Sequence, residues 1–271
     1  MNSFKSSVLA YIIAAISLVA CSGEHSPSES HGDDHVAHWG YEADNGPANW
    51  GSMDEAWRAC AEGRRQSPID LANATETELP EAEIDQPSVA EVETLSQGGS
   101  ISAINNGHTI QINAKTGATI TIGDKAFSLL QFHFHAPSEH TIDDKHFPME
   151  MHFVHQADDG ALAVVGVLVE EGAPNPGLAP IWTQLAGLTD TETRVQIPST
   201  FAESVFPDDT AGSYHYEGSL TTPPCSEGVK WYIRKSPAQF SAGQIAAFTA
   251  IYNHNNRPVQ PLNDRTLYQD D

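Results

Sequence analysis

Hydrophobic and polar residues alternate with a period of two over several stretches of this 271-residue chain. That period marks β-strands, whose successive side chains point to opposite faces. Ser100–Ile104, Thr109–Ala114, Thr119–Ile122, Ala161–Glu170 and Val229–Lys235 are alternating or β-branched and are predicted as strands, with turn residues between them. Helical spacing is scarce, confined to Met53–Cys60, Ile181–Leu188 and Ser241–Asn253, where Ser241 is placed to cap the last. The pattern predicts a mainly β fold in a single domain with short peripheral helices.

Two further alternating runs carry unusual polar residues. In QFHFHAPSEH, from Gln131 to His140, His133 and His135 share one strand face while Phe132 and Phe134 share the other. In MEMHFVH, from Met149 to His155, Glu150, His152 and Val154 share a face. If the two strands pair antiparallel through the polar stretch around Asp143 and Asp144, His152 completes a cluster with His133 and His135. Three neutral nitrogen donors with no fourth protein ligand suit a zinc ion that keeps an open position. His140, His146 and His155 do not share the spacing of the three and are read as structural. A His-Glu-x-x-His helix, which a zinc protease would want, does not occur.

Composition adds an exported character. Val8–Ala20 is an apolar run of 13 residues behind Lys5, short for a membrane span and suited to a signal sequence comprising residues 1–20. Leu18-Val19-Ala20-Cys21 resembles the cleavage box of bacterial lipoproteins, which makes Cys21 the expected lipidation site and the anchor to a membrane. Ser22 after it favours the outer membrane, so a periplasmic or cell-surface location is expected. Residues 21–37 are polar, without apolar periodicity, and read as a solvated tether in which His25, His31 and His35 are exposed, as is His38 just beyond it. Residues 38–271 are long enough for one sizeable core. The chain carries 13 Lys and Arg against 36 Asp and Glu, a net charge of −23. Such a surface repels nucleic acid, which is excluded as a partner.

The remaining motifs decide among zinc chemistries. GSLTTPPC (Gly218–Cys225), NNGH (Asn105–His108) and RRQSPIDL (Arg64–Leu71), with HWGY from His38 and NNRPVQPL ending at Leu262, resemble the α-class carbonic anhydrases in that family's order. The resemblance implies a large twisted, mostly antiparallel sheet with one zinc ion on its central strands. It also implies reversible hydration of carbon dioxide to bicarbonate and a proton. In this family zinc-bound water has a pKa near 7, a known value for the class, and the hydroxide attacks CO2.

Roles carry over position by position. His133, His135 and His152 would hold the metal, with Gln131 orienting His133, Glu150 orienting His152 and the carbonyl of Asn255 orienting His135. Thr221 would accept from the hydroxide and donate to a buried, ionised Glu139. His108 would shuttle the proton, since an ordinary imidazole pKa near 6.5 almost matches that water. Tyr41, Asn106 and Gln111 would order the water chain, although the family more often has asparagine at the last of these. Val154, Val164, Leu220, Thr222 and Trp231 would form the apolar substrate pocket, where the Thr221 N–H can polarise a CO2 oxygen.

The three cysteines become a pair, Cys60 and Cys225, once Cys21 carries lipid, and bacterial members of the family bridge these places. The alternative is two free buried thiols. The shorter Ala136–Ser138 loop and Gln156 depart from better-known members and bear on cavity shape. The expected partners are CO2, bicarbonate and water, with sulfonamides and small anions as inhibitors, and a homodimer is compatible with the resemblance. Two other functions stay open on sequence alone. One is a silent binding module, which would typically have lost a metal histidine; the other is a zinc esterase, for which no acyl pocket or serine motif is evident.

Overall fold

The computed structural model describes residues 37–77, 82–85, 101–114, 118–191, 193–196 and 212–270. The leader, Cys21 and the tether as far as residue 36 lie outside the described residues, as does Ser100. From Ala37 onward the chain forms one compact unit.

The strands in chain order are β1 (Thr75–Glu76), β2 (Ala82–Asp85), β3 (Ile101–Asn105), β4 (Ile110–Ala114) and β5 (Thr119–Ile122). They continue as β6 (Lys125–His135), β7 (Thr141–Ile142), β8 (Lys145–His146), β9 (Met149–Gln156) and β10 (Leu162–Glu171). The last four are β11 (Arg194–Gln196), β12 (Ser213–Ser219), β13 (Glu227–Phe240) and β14 (Tyr268–Gln269). Among the described residues twelve strands form one sheet along the order β1-β14-β12-β13-β10-β9-β6-β4-β3-β11, with β5 bridging β2 to β6. Pairing is antiparallel except at β1–β14 and β10–β13. The second exception is permitted by the long connection between β10 and β13. The expectation of a mainly β fold with a mostly antiparallel sheet is therefore met.

The alternation seen in the sequence sorts the core into two layers. Phe132 and Phe134 of β6 pack with Met151, Phe153, Val165, Val167 and Tyr232 in one apolar layer. Val154, Val164, Leu168, Trp231 and Ile233 form a second cluster. Full burial of each large side chain contributes roughly 1.5–3 kcal/mol, so a one-residue slip of β6, which would exchange phenylalanines for histidines, is strongly disfavoured.

The helical expectations are met less well. Met53–Cys60 is broken into helix Trp50–Met53, a 3-10 turn Glu55–Trp57 and helix Ala59–Glu62. Asp54 interrupts it: its backbone is extended and its carboxylate accepts from the Ala56 N–H, capping the next turn. Ile181–Leu188 is likewise divided, into Ala179–Trp182 and a 3-10 turn Leu185–Gly187. The last helix runs Ala242–Thr249 behind Ser241, whose side chain accepts from Gln244 N–H in a capping box.

A disulfide joins Cys60 to Cys225 across 165 positions. In the chain-entropy model closing such a loop is worth on the order of 4–5 kcal/mol, an upper-side figure. The bridge packs with Trp50, Trp57 and Tyr41 and ties the Ala59–Glu62 helix to the loop that carries Thr221 and Thr222.

Candidate metal centre

The central pair of strands builds the site. β6 and β9 run antiparallel with His133 directly opposite His152, and His135 lies two residues along the same face. The three rings stand 4.6–5.2 Å apart between centroids. One nitrogen of each comes within 4.8 Å of the others.

Which nitrogen faces inward is settled by what holds the other. His133 Nδ1 is 2.9 Å from Gln131 Oε1 and His135 Nδ1 is 2.6 Å from the Asn255 carbonyl. His152 Nε2 is 2.8 Å from Glu150 Oε1. These oxygens can only accept, so the tautomers leave unprotonated His133 Nε2, His135 Nε2 and His152 Nδ1 toward the common centre. Burial lowers all three imidazole pKa values, His135 to about 4, and keeps the rings neutral. His135 Nε2 is fully buried with no hydrogen-bond partner among the described residues. A buried lone pair without a donor is costly unless something electrophilic meets it, and a borderline-soft cation of zinc's type fits this donor set.

A second cluster, His140, Glu150 and His152, is also close enough for a metal, but hydrogen bonds already occupy it. Glu150 Oε1 takes His140 Nδ1 at 2.7 Å besides His152, and Oε2 takes the backbone N–H groups of Glu139 and His140 at 2.8 Å each. Burial pushes the Glu150 carboxyl up, but the two imidazoles outweigh it and hold its pKa well below the usual range. His140 Nε2 lies 2.7 Å from the Tyr216 hydroxyl, which donates to Ser67 Oγ at 2.8 Å. His140 is thus structural as expected, and its structural part is to support the third histidine through Glu150. Its spacing gives no sign of this, because Tyr216 and Ser67 are remote in sequence.

Glu139 is fully buried with Oε1 accepting from the Arg257 N–H at 2.8 Å. Burial raises its pKa to about 7, with His152, Arg257 N–H and the Thr221 hydroxyl pulling the other way. Thr221 is buried beside it, close enough to favour the carboxylate, although Oε2 completes no hydrogen bond of full geometry among the described residues. The Arg257 guanidinium, missed by the sequence reading, is buried and donates to Gln66, Ser67 O and Cys60 O. It locks the Cys60–Ser67 segment behind the site.

Above the triad is a cavity of about 110 Å³ lined by Tyr41, Asn106, His108, Gln111, Gln131, His133, His135 and Thr222, together with Trp39 and Thr109. The NNGH turn shapes its wall: Asn106 Oδ1 accepts from the N–H groups of His108 and Thr109, and Asn105 Oδ1 from Gly107, whose φ of +87° suits glycine. Asn106 Nδ2 also donates to Gln111 Oε1 at 3.2 Å.

His108 lies flat on Trp39, with centroids 3.6 Å apart and planes 8° off parallel, and the His38 ring is 5.9 Å away. Burial, then His38, lowers its pKa to about 4. The expectation of an ordinary imidazole there is corrected for this position of the ring. Val154, Val164, Leu220 and Trp231 pack together on the His152 side of the sheet, Trp231 with its ring 4.9 Å from that of His152. They are not lining residues of the cavity itself, whereas Thr222 is.

Comparison with known proteins fits this geometry. The model of the eukaryotic-type carbonic anhydrase family matches residues 45–271. A carbonic anhydrase of Pectobacterium carotovorum is 43% identical over 231 residues, covering 85% of this chain and 90% of its own. One from Neisseria gonorrhoeae is 37% identical over 260 residues, 95% of this chain and 96% of its own. The solved α-carbonic anhydrase of Thermovibrio ammonificans in complex with the inhibitor sulfanilamide shares 37% identity at a TM-score of 0.75, covering 86% of this chain and 99% of that one. On the family match from residue 45 to the end and on these relatives, the chain belongs to the eukaryotic-type, or α, carbonic anhydrase family and is an enzyme of carbon dioxide hydration.

Proposed function

We propose that the enzyme is zinc-dependent, with His133 Nε2, His135 Nε2 and His152 Nδ1 as the protein's donors. The buried Nε2 of His135, without a hydrogen-bond partner among the described residues, is the observation that carries this reading. When bound, the ion supplies a Lewis acid with one open position, which brings the pKa of water near neutrality. The chain supplies the rest. Thr221 Oγ1 accepts from the attacking hydroxide only if its own proton goes to Glu139, so a carboxylate there aims the nucleophile's lone pair at CO2. Trp231, Val154, Val164 and Leu220 are the apolar layer packed on the His152 side, and of the five expected pocket residues Thr222 alone is at the cavity wall. Tyr41, Asn106 and Gln111 surround the path by which the proton leaves.

His108 is the acceptor at the end of that path. With a pKa of about 4 in its stacked position, taking a proton from a group near 7 is uphill by roughly 4 kcal/mol. The ring must leave Trp39 for a more hydrated position, where its ordinary pKa makes transfer nearly level. His108→Ala should slow steady-state turnover in weak buffer by on the order of 10²-fold, with recovery on adding imidazole. Equal rates for the two enzymes in weak buffer would rule the shuttle out.

The test of the whole reading is stopped-flow CO2 hydration by zinc-replete protein, by protein stripped with a chelator, and after zinc is restored. Rates that fall and return with the metal support it; activity indifferent to chelation contradicts it. By the same chemistry, sulfonamides and small anions should compete for the open position.

The chain is also proposed to be exported and held at the outer membrane by lipid on Cys21, on the strength of the Leu18–Cys21 box behind the apolar run. Mass spectrometry of the mature N-terminus should find acylated Cys21. A free, unmodified terminus at another residue would exclude the anchor.

A further inference from the structure

β10 carries a glycine, Gly166, where its neighbours are branched: the run is Val164-Val165-Gly166-Val167. A strand glycine costs conformational entropy and packs nothing, so it usually marks a close approach. Gly166 does not have the left-handed backbone conformation that would itself call for glycine, so the reason is space. It stands opposite His152 on β9 and opposite Ile233 on β13. A Cβ there would lie 3.2 Å from Glu150 Oε1 and 2.5 Å from Ile233 Cδ1.

Those two neighbours differ in their freedom to move. Ile233 Cδ1 is the tip of a side chain. Glu150 is tethered by four donors, its Oε1 accepting from His140 at 2.7 Å and His152 at 2.8 Å while two backbone N–H groups hold Oε2 at 2.8 Å. A shift of a few tenths of an ångström away from a new Cβ would lengthen or bend some of these bonds, and those to the imidazoles are made by the oxygen that must move.

We propose that the absent side chain at Gly166 sets the position of the Glu150 carboxylate, and through it the orientation of His152, so that Gly166 is a positioning residue of the metal centre. This rests on the zinc reading, but one arm of its test does not need the metal.

The test compares Gly166→Ala/Ile233→Val with Ile233→Val alone, because valine removes Cδ1 and leaves Glu150 as the tight contact. In metal-free protein, nuclear magnetic resonance of the downfield imidazole N–H protons reads the His140 and His152 bonds to Glu150 directly. Competition with a chromophoric chelator reads zinc affinity. The proposal expects those N–H signals to move upfield and zinc to bind about tenfold more weakly. On a Glu150→Gln background, adding Gly166→Ala/Ile233→Val should change affinity little beyond Ile233→Val, because both changes act through one carboxylate.

Unshifted N–H signals with affinity equal to that of Ile233→Val would overturn the proposal and leave Gly166 a packing residue. Should valine at 233 leave too little room for folding, Gly166→Ala/Ile233→Ala against Ile233→Ala takes the same measurements, and the same results support or overturn the proposal. If wild type fails to bind zinc while the N–H signals still shift, the metal reading fails and the positioning of Glu150 stands.

Discussion

His133→Ala is expected to cost the enzyme its zinc and, with it, essentially all CO2 hydration, while leaving a folded protein. Of the three histidines, His133 is the one at the cavity wall that is only partly buried, and among the described residues its ring bonds to the side chain of Gln131. Its removal therefore strands no backbone group, unlike loss of His135, which would orphan the Asn255 carbonyl. Removing a direct donor should exceed the roughly 10- to 100-fold in affinity typical of outer partners. Zinc content by mass spectrometry of native protein, stopped-flow rates and a thermal melt against metal-free wild type would check it. Stoichiometric zinc with turnover close to wild type would remove His133 from the centre.

The second large effect is expected at Thr221. Thr221→Ala should keep its zinc yet lose on the order of 10²-fold in kcat/KM, the scale of a misaimed nucleophile, and Thr221→Ser should recover most of it. The loss should also depend on pH in a direction that Glu139 dictates. Glu139 must be ionised to accept from Thr221, and burial raises its pKa to about 7, although a bound cation nearby would draw the midpoint lower. As pH falls through that midpoint, the protonated carboxyl stops accepting and wild type loses its advantage. The ratio of wild-type to Thr221→Ala rates should therefore shrink toward acid pH. Ionisation of the catalytic water is common to both enzymes and largely cancels in the ratio. A ratio that stays constant, or grows on acidification, would dissociate Glu139 from Thr221.

How much of the site is legible in the chain varies with distance along it. Alternation in Gln131–His135 and Met149–His155 is sufficient to place three histidines on one face, because strand period and register are local properties, and β6 and β9 pair as that reading requires. Met53–Cys60 is not the one helix its spacing predicts, because a single extended residue, Asp54, resets the chain there, and tertiary packing overrides a weak propensity. The support of the site is legible only where it sits two residues from its histidine, as Gln131 and Glu150 do. Asn255 is 120 positions from His135, and resemblance alone points to it.

The part played by His140 is invisible in the sequence because its bond to Tyr216 spans 76 positions. The pKa of His108 departs from expectation for the same reason. Trp39, whose ring covers it, and His38, which adds to the shift, stand 69 and 70 positions earlier in the chain. Local pattern fixes which side chains share a face; what neutralises, orients or desolvates them depends on segments that only the fold brings near.

The chemistry rests on a cation held between three imidazoles, and diffraction data recorded on both sides of the zinc absorption edge test that directly. One strong anomalous peak is expected within bonding reach of His133 Nε2, His135 Nε2 and His152 Nδ1, with no fourth protein ligand. No peak there in zinc-replete crystals, or a peak displaced to the His140, Glu150 and His152 group, would contradict it.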